Sequence, residues 1–174
     1  MSQRRRYFSA INAFDCSQFV EVFGGVFEHS PWIAEATWSQ RPFTDTDSLH
    51  RALCETVARA GEEKQLDLIR AHPDLVGRAA LAGSLTDTSK DEQASAGLDR
   101  LSAEDIAAFQ SFNRKYREQF EFPFIICARL NKKEAILAAF PTRLKNTREQ
   151  EIRAALAEIA KIARFRLEDR KSVV

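Results

Sequence analysis

His72 is followed by Pro73, and proline biases the residue before it out of the α region. A helical pattern carrying Leu66 and Ile69 should therefore end at or near His72, exposing an imidazole at a helix C-terminus. The negative end of the helix dipole favours the protonated ring there, placing the side chain to donate or accept a proton near neutral pH. The same pattern also suits a histidine that only caps a helix or forms part of a turn. Ser89-Lys90-Asp91-Glu92 matches the Ser-x-x-Glu capping box, whose side chains satisfy backbone amides at a helix start. A helix start also suits an anionic ligand, so capping and binding are compatible at this segment. Arg166 is the third candidate. Ile152, Leu156, Ile159 and Ala163 define an apolar stripe, and at about 100° per residue Arg166 falls inside it. Either its guanidinium snorkels to solvent near a helix end, or it enters a polar pocket and meets a carboxylate.

Other chemistries find less support. His29 and His50 have no His, Cys or carboxylate neighbours at recognised metal-ligand spacing, so no metal is assigned. There is no glycine-rich phosphate loop or nucleophile elbow, and Gly24-Gly25 reads as a site of close packing within an apolar helical pattern. Cys16, Cys54 and Cys127 are odd in number, widely separated and set among apolar neighbours, which fits reduced core thiols and a reducing compartment. The formal charge of +1 offers no broad attraction for a nucleic acid backbone. No apolar run approaches the roughly 18 residues of a membrane span. The N-terminal segment lacks a signal-peptide core, and Lys171-Ser172-Val173-Val174 is not a Ser-Lys-Leu type address. These features predict a cytoplasmic protein.

The elements that must position these residues are helices. With 174 residues, 44% of them hydrophobic, and 13 Phe, the chain has material for one well-filled core, so a single domain over 1–174 is expected. Phe19, Val22, Phe23, Val26 and Phe27 recur at helical spacing and predict a helix over about 16–28. Asp47 or Ser48 can cap a second helix, which Gly61 separates from the run through Leu66 and Ile69. Ser102 caps the helix that carries Ile106, Phe109, Phe112, Asn113 and Tyr116. Asn131 to Phe140 should be stopped by Pro141, and Asn146 through Glu149 resembles a capping box before a long final helix. Phe122 to Ala128 is the single strand candidate, but Pro123 and the lack of pairing partners argue against a sheet. The segment from Gly77 to Ser95 reads as a long loop of the kind that lines active sites. The expectation is an all-α helical bundle of about 7–9 helices with a long C-terminal helix.

The ordered set of motifs is more specific than any one of them. Phe23-Gly24-Gly25-Val26-Phe27-Glu28-His29-Ser30-Pro31-Trp32, His72-Pro73-Asp74-Leu75, Ser89-x-x-Glu92-Gln93-x-x-Ala96-Gly97-Leu98 and Phe122-Pro123-Phe124-Ile125 resemble the OHCU decarboxylase family. The resemblance continues through Arg129-Leu130-Asn131, Arg143-Leu144-x-Asn146 and Ile159-Ala160-x-Ile162-Ala163-x-x-Arg166-Leu167. It implies decarboxylation of 2-oxo-4-hydroxy-4-carboxy-5-ureidoimidazoline to S-allantoin in urate breakdown, by a cytoplasmic homodimer that needs no cofactor. It also implies that His72 is catalytic with Glu92 as its partnering carboxylate. Pro73, the segment Ser89, Lys90, Asp91, Glu92 and Gln93, and the segment Phe124, Ile125, Ile126, Cys127 and Ala128 would line the substrate site, which Arg166 approaches. Functional coupling to the upstream 5-hydroxyisourate hydrolase is a further implication.

Two positions depart from the family pattern. Glu121 stands where Gly usually precedes Phe-Pro-Phe, and Val76 replaces a commonly smaller residue after His-Pro-Asp-Leu. The residues alone leave two other readings open. One is a hydrolase or decarboxylase acting on a related ureide, and the other is a helical interaction module in which His72 and Glu92 are only caps.

Overall fold

Caps, glycines and prolines cut the chain into helices. The described residues of this computed structural model run from Gln3 to Arg170, with the side chains of residues 3–5 and of Ala79 excepted. Lys171 to Val174 lie outside them. The elements are α1 (Gln3–Ala13), α2 (Cys16–Phe23), α3 (Trp32–Trp38), α4 (Thr46–Arg59), α5 (Glu62–Ala71), α6 (Arg78–Leu81), α7 (Asp87–Ser95), α8 (Ala103–Phe120), a 3-10 turn at Ala128–Leu130, α9 (Lys133–Arg143) and α10 (Arg148–Asp169). No strand occurs among the described residues, so the all-α expectation holds and α10 is the long C-terminal helix. The chain packs as two compact units: residues up to Ala71 with those from Ala160 on, and His72–Ile159.

Several boundaries fall a few residues from where local signals put them, each for a physical reason. Helix α2 ends at Phe23, not near residue 28, because Gly24 is its C-cap and its amide bonds the Val20 carbonyl at 2.7 Å. A Cβ on Gly24 would lie 2.5 Å from that carbonyl, so close packing is its reason, as expected, although it does not lie within the helix. Val26 and Phe27 are still buried because the following turn folds them inward. The cap of α4 is Asp45, and Ser48 answers it reciprocally as the third helical residue. The box before α10 forms between Thr147 and Gln150, which exchange backbone and side-chain bonds at 2.8 and 3.2 Å. Asn146 is thereby released to bond Glu151. Pro141 does not stop α9, which runs on to Arg143. A proline inside an isolated helix costs about 3 kcal/mol; here the ring sits on the exposed side between two anchors, the buried Phe140 and the ion-paired Arg143. The expected loop from Gly77 to Ser95 holds α6 and α7. Gly61 separates α4 from α5 with φ +84, and Ser102 caps α8, both as expected.

In the first unit Phe19 meets Phe23 and Phe43 with ring centroids 4.8 and 6.0 Å apart, and Ile11, Ile33, Leu49, Leu53, Leu68 and Ile69 complete an apolar core. The second unit is built around Tyr116, whose ring contacts Phe120, Phe122 and Phe124, while Phe124 stacks on Phe140 at 3.9 Å. A polar cluster is set into this aromatic core. Glu151, with 0% exposure, accepts bonds from the Tyr116 hydroxyl, from Arg143 Nε at 2.9 Å and from Asn146 Nδ2 at 2.7 Å. Arg143 lies 4.4 Å over the Phe124 ring and donates to the Ile125 carbonyl. Burial and the Glu151 hydrogen bond drive the Tyr116 pKa well above the usual tyrosine range, so the hydroxyl keeps its proton as a donor. This cluster fixes the irregular backbone of Phe122 to Ala128, which a sheet would otherwise have to hold. All three cysteines are free. Cys127 is buried while Cys16 and Cys54 are half-buried, so the core position expected of all three holds for Cys127 alone; desolvation still raises the Cys54 thiol to about 11.

Both departures from the family pattern fall in left-handed backbone. Glu121 is the C-cap of α8 with φ 65 and ψ 22, and Val76 has φ 53. A side chain in this region costs roughly 1–2 kcal/mol relative to glycine, partly offset by the extra unfolded-state freedom glycine brings. Glu121→Gly is therefore expected to stabilise the protein by about 0.5–1 kcal/mol, raising the midpoint of thermal unfolding by about 1–4 °C. An unchanged or lower midpoint by circular dichroism would show that the glutamate side chain compensates its backbone. For the polar cluster, Arg143→Met is expected to cost about 3–5 kcal/mol in urea unfolding, since it leaves the Glu151 carboxylate buried without its cation. A loss below about 1 kcal/mol would mean that the cluster contributes no more than a surface ion pair.

Candidate active site

Helix α5 ends at Ala71, one residue before His72, as the proline rule requires. The imidazole is not exposed, however. His72 has 7% exposure, because the chain after it doubles back instead of running into solvent. Pro73 and Asp74 are half-buried, Leu75 and Val76 are buried, and Gly77 closes the turn with its amide on the Asp74 carbonyl at 3.2 Å. A helix end read from sequence gives a direction for the chain but says nothing of what packs over it.

Helix α7 supplies the second wall. Its cap is Thr86, whose hydroxyl accepts from the Ser89 amide, so the Ser89 to Glu92 capping box does not form. Ser89 and Glu92 sit within the helix, and with Gln93 and Ala96 they occupy one buried face at three- and four-residue spacing. Three of those four side chains are polar, although a helix normally buries its apolar stripe. Lys90 and Asp91 point to the exposed side. Gln93 Oε1 accepts from the Val76 amide at 3.2 Å and so joins α7 to the turn that follows His72.

The third wall is the segment from Phe124 to Ala128. Phe124, Ile125, Cys127 and Ala128 are buried, and Ile126 is half-buried. The 3-10 turn at its end packs on α7. The Cys127 amide is held by Glu158 Oε2 at 2.8 Å, and its carbonyl accepts from Asn131 Nδ2 at 2.9 Å. Burial raises the Cys127 pKa, and the carboxylates of Glu158 and Glu92 push it further, which places the charge of Glu92 within electrostatic reach of this segment. The second unit thus assembles the His72 turn, the polar face of α7 and the Phe124 to Ala128 backbone. Together they offer acid–base groups, a carboxamide and a hydroxyl in surroundings poor in water, suited to a small polar ligand.

Arg166 belongs to the other unit. It has 2% exposure and pairs with Glu28 at 2.9 Å, the carboxylate side chain being 3% exposed. Of the two readings left open, the guanidinium meets a carboxylate and does not snorkel. Glu28 was not singled out as the counter-charge from sequence, although it stands in the Phe27-Glu28-His29-Ser30-Pro31-Trp32 run. A buried arginine on an apolar stripe demands a counter-charge but does not say which helix brings it. Among the described residues no group of three or more His, Cys, Asp or Glu side chains is arranged to hold a metal, and no helix is long and apolar enough to cross a membrane.

The family model for OHCU decarboxylase matches residues 12–168, spanning both units. The 2-oxo-4-hydroxy-4-carboxy-5-ureidoimidazoline decarboxylase of Haloferax volcanii is 44% identical over 93% of this chain and 94% of its own length. A uric acid degradation bifunctional protein of Bacillus subtilis is 40% identical over 91% of this chain, which corresponds to 31% of that protein. Among solved structures, an (S)-allantoin synthase superposes with a TM-score of 0.75 at 28% identity, covering 94% of this chain and 53% of that one. The matched span and the identity over nearly the whole chain place this protein in the OHCU decarboxylase family.

Proposed function

We propose that this protein decarboxylates 2-oxo-4-hydroxy-4-carboxy-5-ureidoimidazoline to S-allantoin in urate breakdown, with His72 as its acid–base residue. The observation that supports this most directly is the buried polar face of Ser89, Glu92 and Gln93, joined by Gln93 to the turn after His72. In the substrate the departing carboxylate sits on a carbon that also bears a hydroxyl, next to a ring C=N bond. The C–C bond breaks, CO2 leaves, and the electron pair moves into the ring and onto the C=N nitrogen. The carbon bearing the ureido group then takes a proton while the hydroxyl becomes a carbonyl. One proton is consumed overall. The substrate is its own electron sink, so no cofactor is invoked, and the protein's work is orientation, charge stabilisation and delivery of a proton to one face.

His72 exchanges a proton with the hydroxyl or with the enol-like intermediate, and Glu92 orients the imidazole and hydrogen-bonds the substrate; such help is worth roughly 10²- to 10⁴-fold. Pro73, the Ser89 to Gln93 segment and the backbone of Phe124 to Ala128 line the site and bind the ureido and ring amides. The resemblance gives Arg166 the task of neutralising the anionic substrate; its ion pair with Glu28 supplies a fixed guanidinium for that task. In this reading the chain acts as a cytoplasmic homodimer. We extend the reading to functional coupling with the upstream 5-hydroxyisourate hydrolase; a bifunctional uric acid degradation relative shows that the matched stretch also occurs within a longer chain.

The test is circular dichroism at an allantoin band while upstream enzymes generate the substrate from urate, with the protein present, absent or carrying His72→Ala. Rapid formation of the S enantiomer with the unmodified protein alone is expected, since spontaneous decay yields racemic allantoin. The His72→Ala variant should lose on the order of 10²-fold or more in turnover while keeping its far-ultraviolet helical signal. Slow racemic product in all three reactions would overturn the assignment, and ureide hydrolysis without CO2 release would replace it with a hydrolase.

A further inference from the structure

The turn that carries His72 is held by two carboxamides at a single peptide bond. Asn113 Nδ2, on α8, donates to the Leu75 carbonyl at 2.7 Å, and Gln93 Oε1, on α7, accepts from the Val76 amide at 3.2 Å. The carbonyl of Leu75 and the amide of Val76 are the two ends of one planar unit. With both ends engaged in buried hydrogen bonds, the plane cannot rotate about its flanking torsions without breaking one of them. One of those torsions is the φ of Val76, which stands at +53 on a β-branched side chain. Such a conformation costs roughly 1–3 kcal/mol and persists where its surroundings over-determine it.

Asn113 itself bears a cost that packing does not explain. It has 7% exposure, and its Oδ1 has no hydrogen-bond partner among the described residues. Its orientation is fixed all the same, because a carbonyl oxygen turned toward the Leu75 carbonyl at that distance would be repelled. A buried acceptor left unsatisfied costs about 1–3 kcal/mol. An apolar residue would fill the space without that cost, so the amide donor at Leu75 is what the position retains. One helical turn further along the same face, Arg117 Nε binds both carboxylate oxygens of Asp74 at 2.9 and 3.0 Å. That pair is half-exposed and correspondingly weaker. Between His72 and this anchored stretch lies only Pro73, whose ring fixes its own φ.

We propose that Asn113 is a positioning residue for His72: with Gln93 it clamps the Leu75–Val76 peptide, and the clamped turn sets the direction of the imidazole. The proposal rests on the reading of His72 as catalytic, and its test separates the two. Asn113→Leu keeps the size of the side chain and removes the donor. Its kcat is expected to fall on the order of 10- to 100-fold with KM changed less than about threefold, as for a misplaced catalytic group. The chain has 3 histidines, so the imidazole signals can be assigned by NMR from single His→Gln variants. In Asn113→Leu the His72 signal should shift or broaden while those of His29 and His50 stay in place, a pattern that general loosening of the fold would not give. Should the leucine variant fail to fold, Asn113→Ser, whose hydroxyl is too short to reach the Leu75 carbonyl, is measured in the same way. A folded variant with kcat within about twofold of the parent and an unmoved His72 signal would overturn the proposal. If His72→Ala keeps full turnover, the catalytic reading fails, and displacement of the His72 signal in the Asn113 variant still decides whether the clamp exists.

Discussion

A carboxylate without solvent exposure, Glu151, organises the backbone on which the second unit's candidate site depends. The segment from Phe122 to Ala128 is neither helix nor sheet, so its polar backbone groups have no ladder to join and need side chains as partners. Glu151 fixes Arg143 between itself and the Phe124 ring, and Arg143 takes the Ile125 carbonyl. Two helical turns along α10, Glu158 takes the Cys127 amide. A buried ion pair of this kind repays its desolvation only when the remaining lone pairs and protons are satisfied, and the Tyr116 hydroxyl and Asn146 amide do that for Glu151. The aromatic cage around it lowers the local dielectric, which strengthens each bond in the cluster and raises the cost of removing any one of them.

The first unit solves a similar problem with fewer parts. Arg166 lies on the apolar stripe of α10 and would be intolerable there alone, but the break in helix at Gly24 turns Glu28 inward to meet it. Had α2 continued to residue 28 as its periodicity suggests, the chain would not have made the turn that buries Val26, Phe27 and Glu28 together. The end of α10 reinforces the same corner, with Arg170 Nε on the Val22 carbonyl at 2.8 Å. A Cβ on Gly25 would lie 2.9 Å from the Arg170 guanidinium, which would have to shift to admit it.

Helices and their order were legible because apolar periodicity and punctuation by Gly, Pro and caps are local signals. Ser102 and Gly61 did what their types suggest. Where several oxygen-bearing residues compete, local rules do not choose among them: Asp45 displaced Asp47 and Ser48, Thr86 displaced Ser89, and Thr147 displaced Asn146. Three of the displaced residues are then placed elsewhere. Asp47 pairs with Arg164, Asn146 joins the Glu151 cluster, and Ser89 is carried inside α7 onto its buried face. The candidate site could be named residue by residue through resemblance, but its burial was not legible. No pattern in the sequence distinguishes a polar stripe facing solvent from one facing the protein interior, and the burial of Ser89, Glu92 and Gln93 is known only from what packs on α7. Of the three non-glycine residues at positive φ among the described residues, His29, Val76 and Glu121, the last two were visible as departures from the family pattern, though not as left-handed backbone.

The choice of group at each place follows the charge it leaves behind. Along the Phe124 to Ala128 wall the backbone is held by a charged residue neutralised within its own cluster, Arg143 by Glu151. At the turn carrying His72 two buried anchors are Asn113 and Gln93, and the charged pair of Asp74 with Arg117 lies toward solvent. Carboxamides hold geometry as firmly as a neutral hydrogen bond allows and add no net field of their own. A lysine or aspartate in place of Asn113 would fix the same turn while pushing the imidazole toward one protonation state, since an unscreened charge in a buried setting acts over several ångströms. Under the proposed mechanism, neutral anchors leave that balance to Glu92 and to the substrate, which is what a residue that must both give and take a proton within one turnover requires.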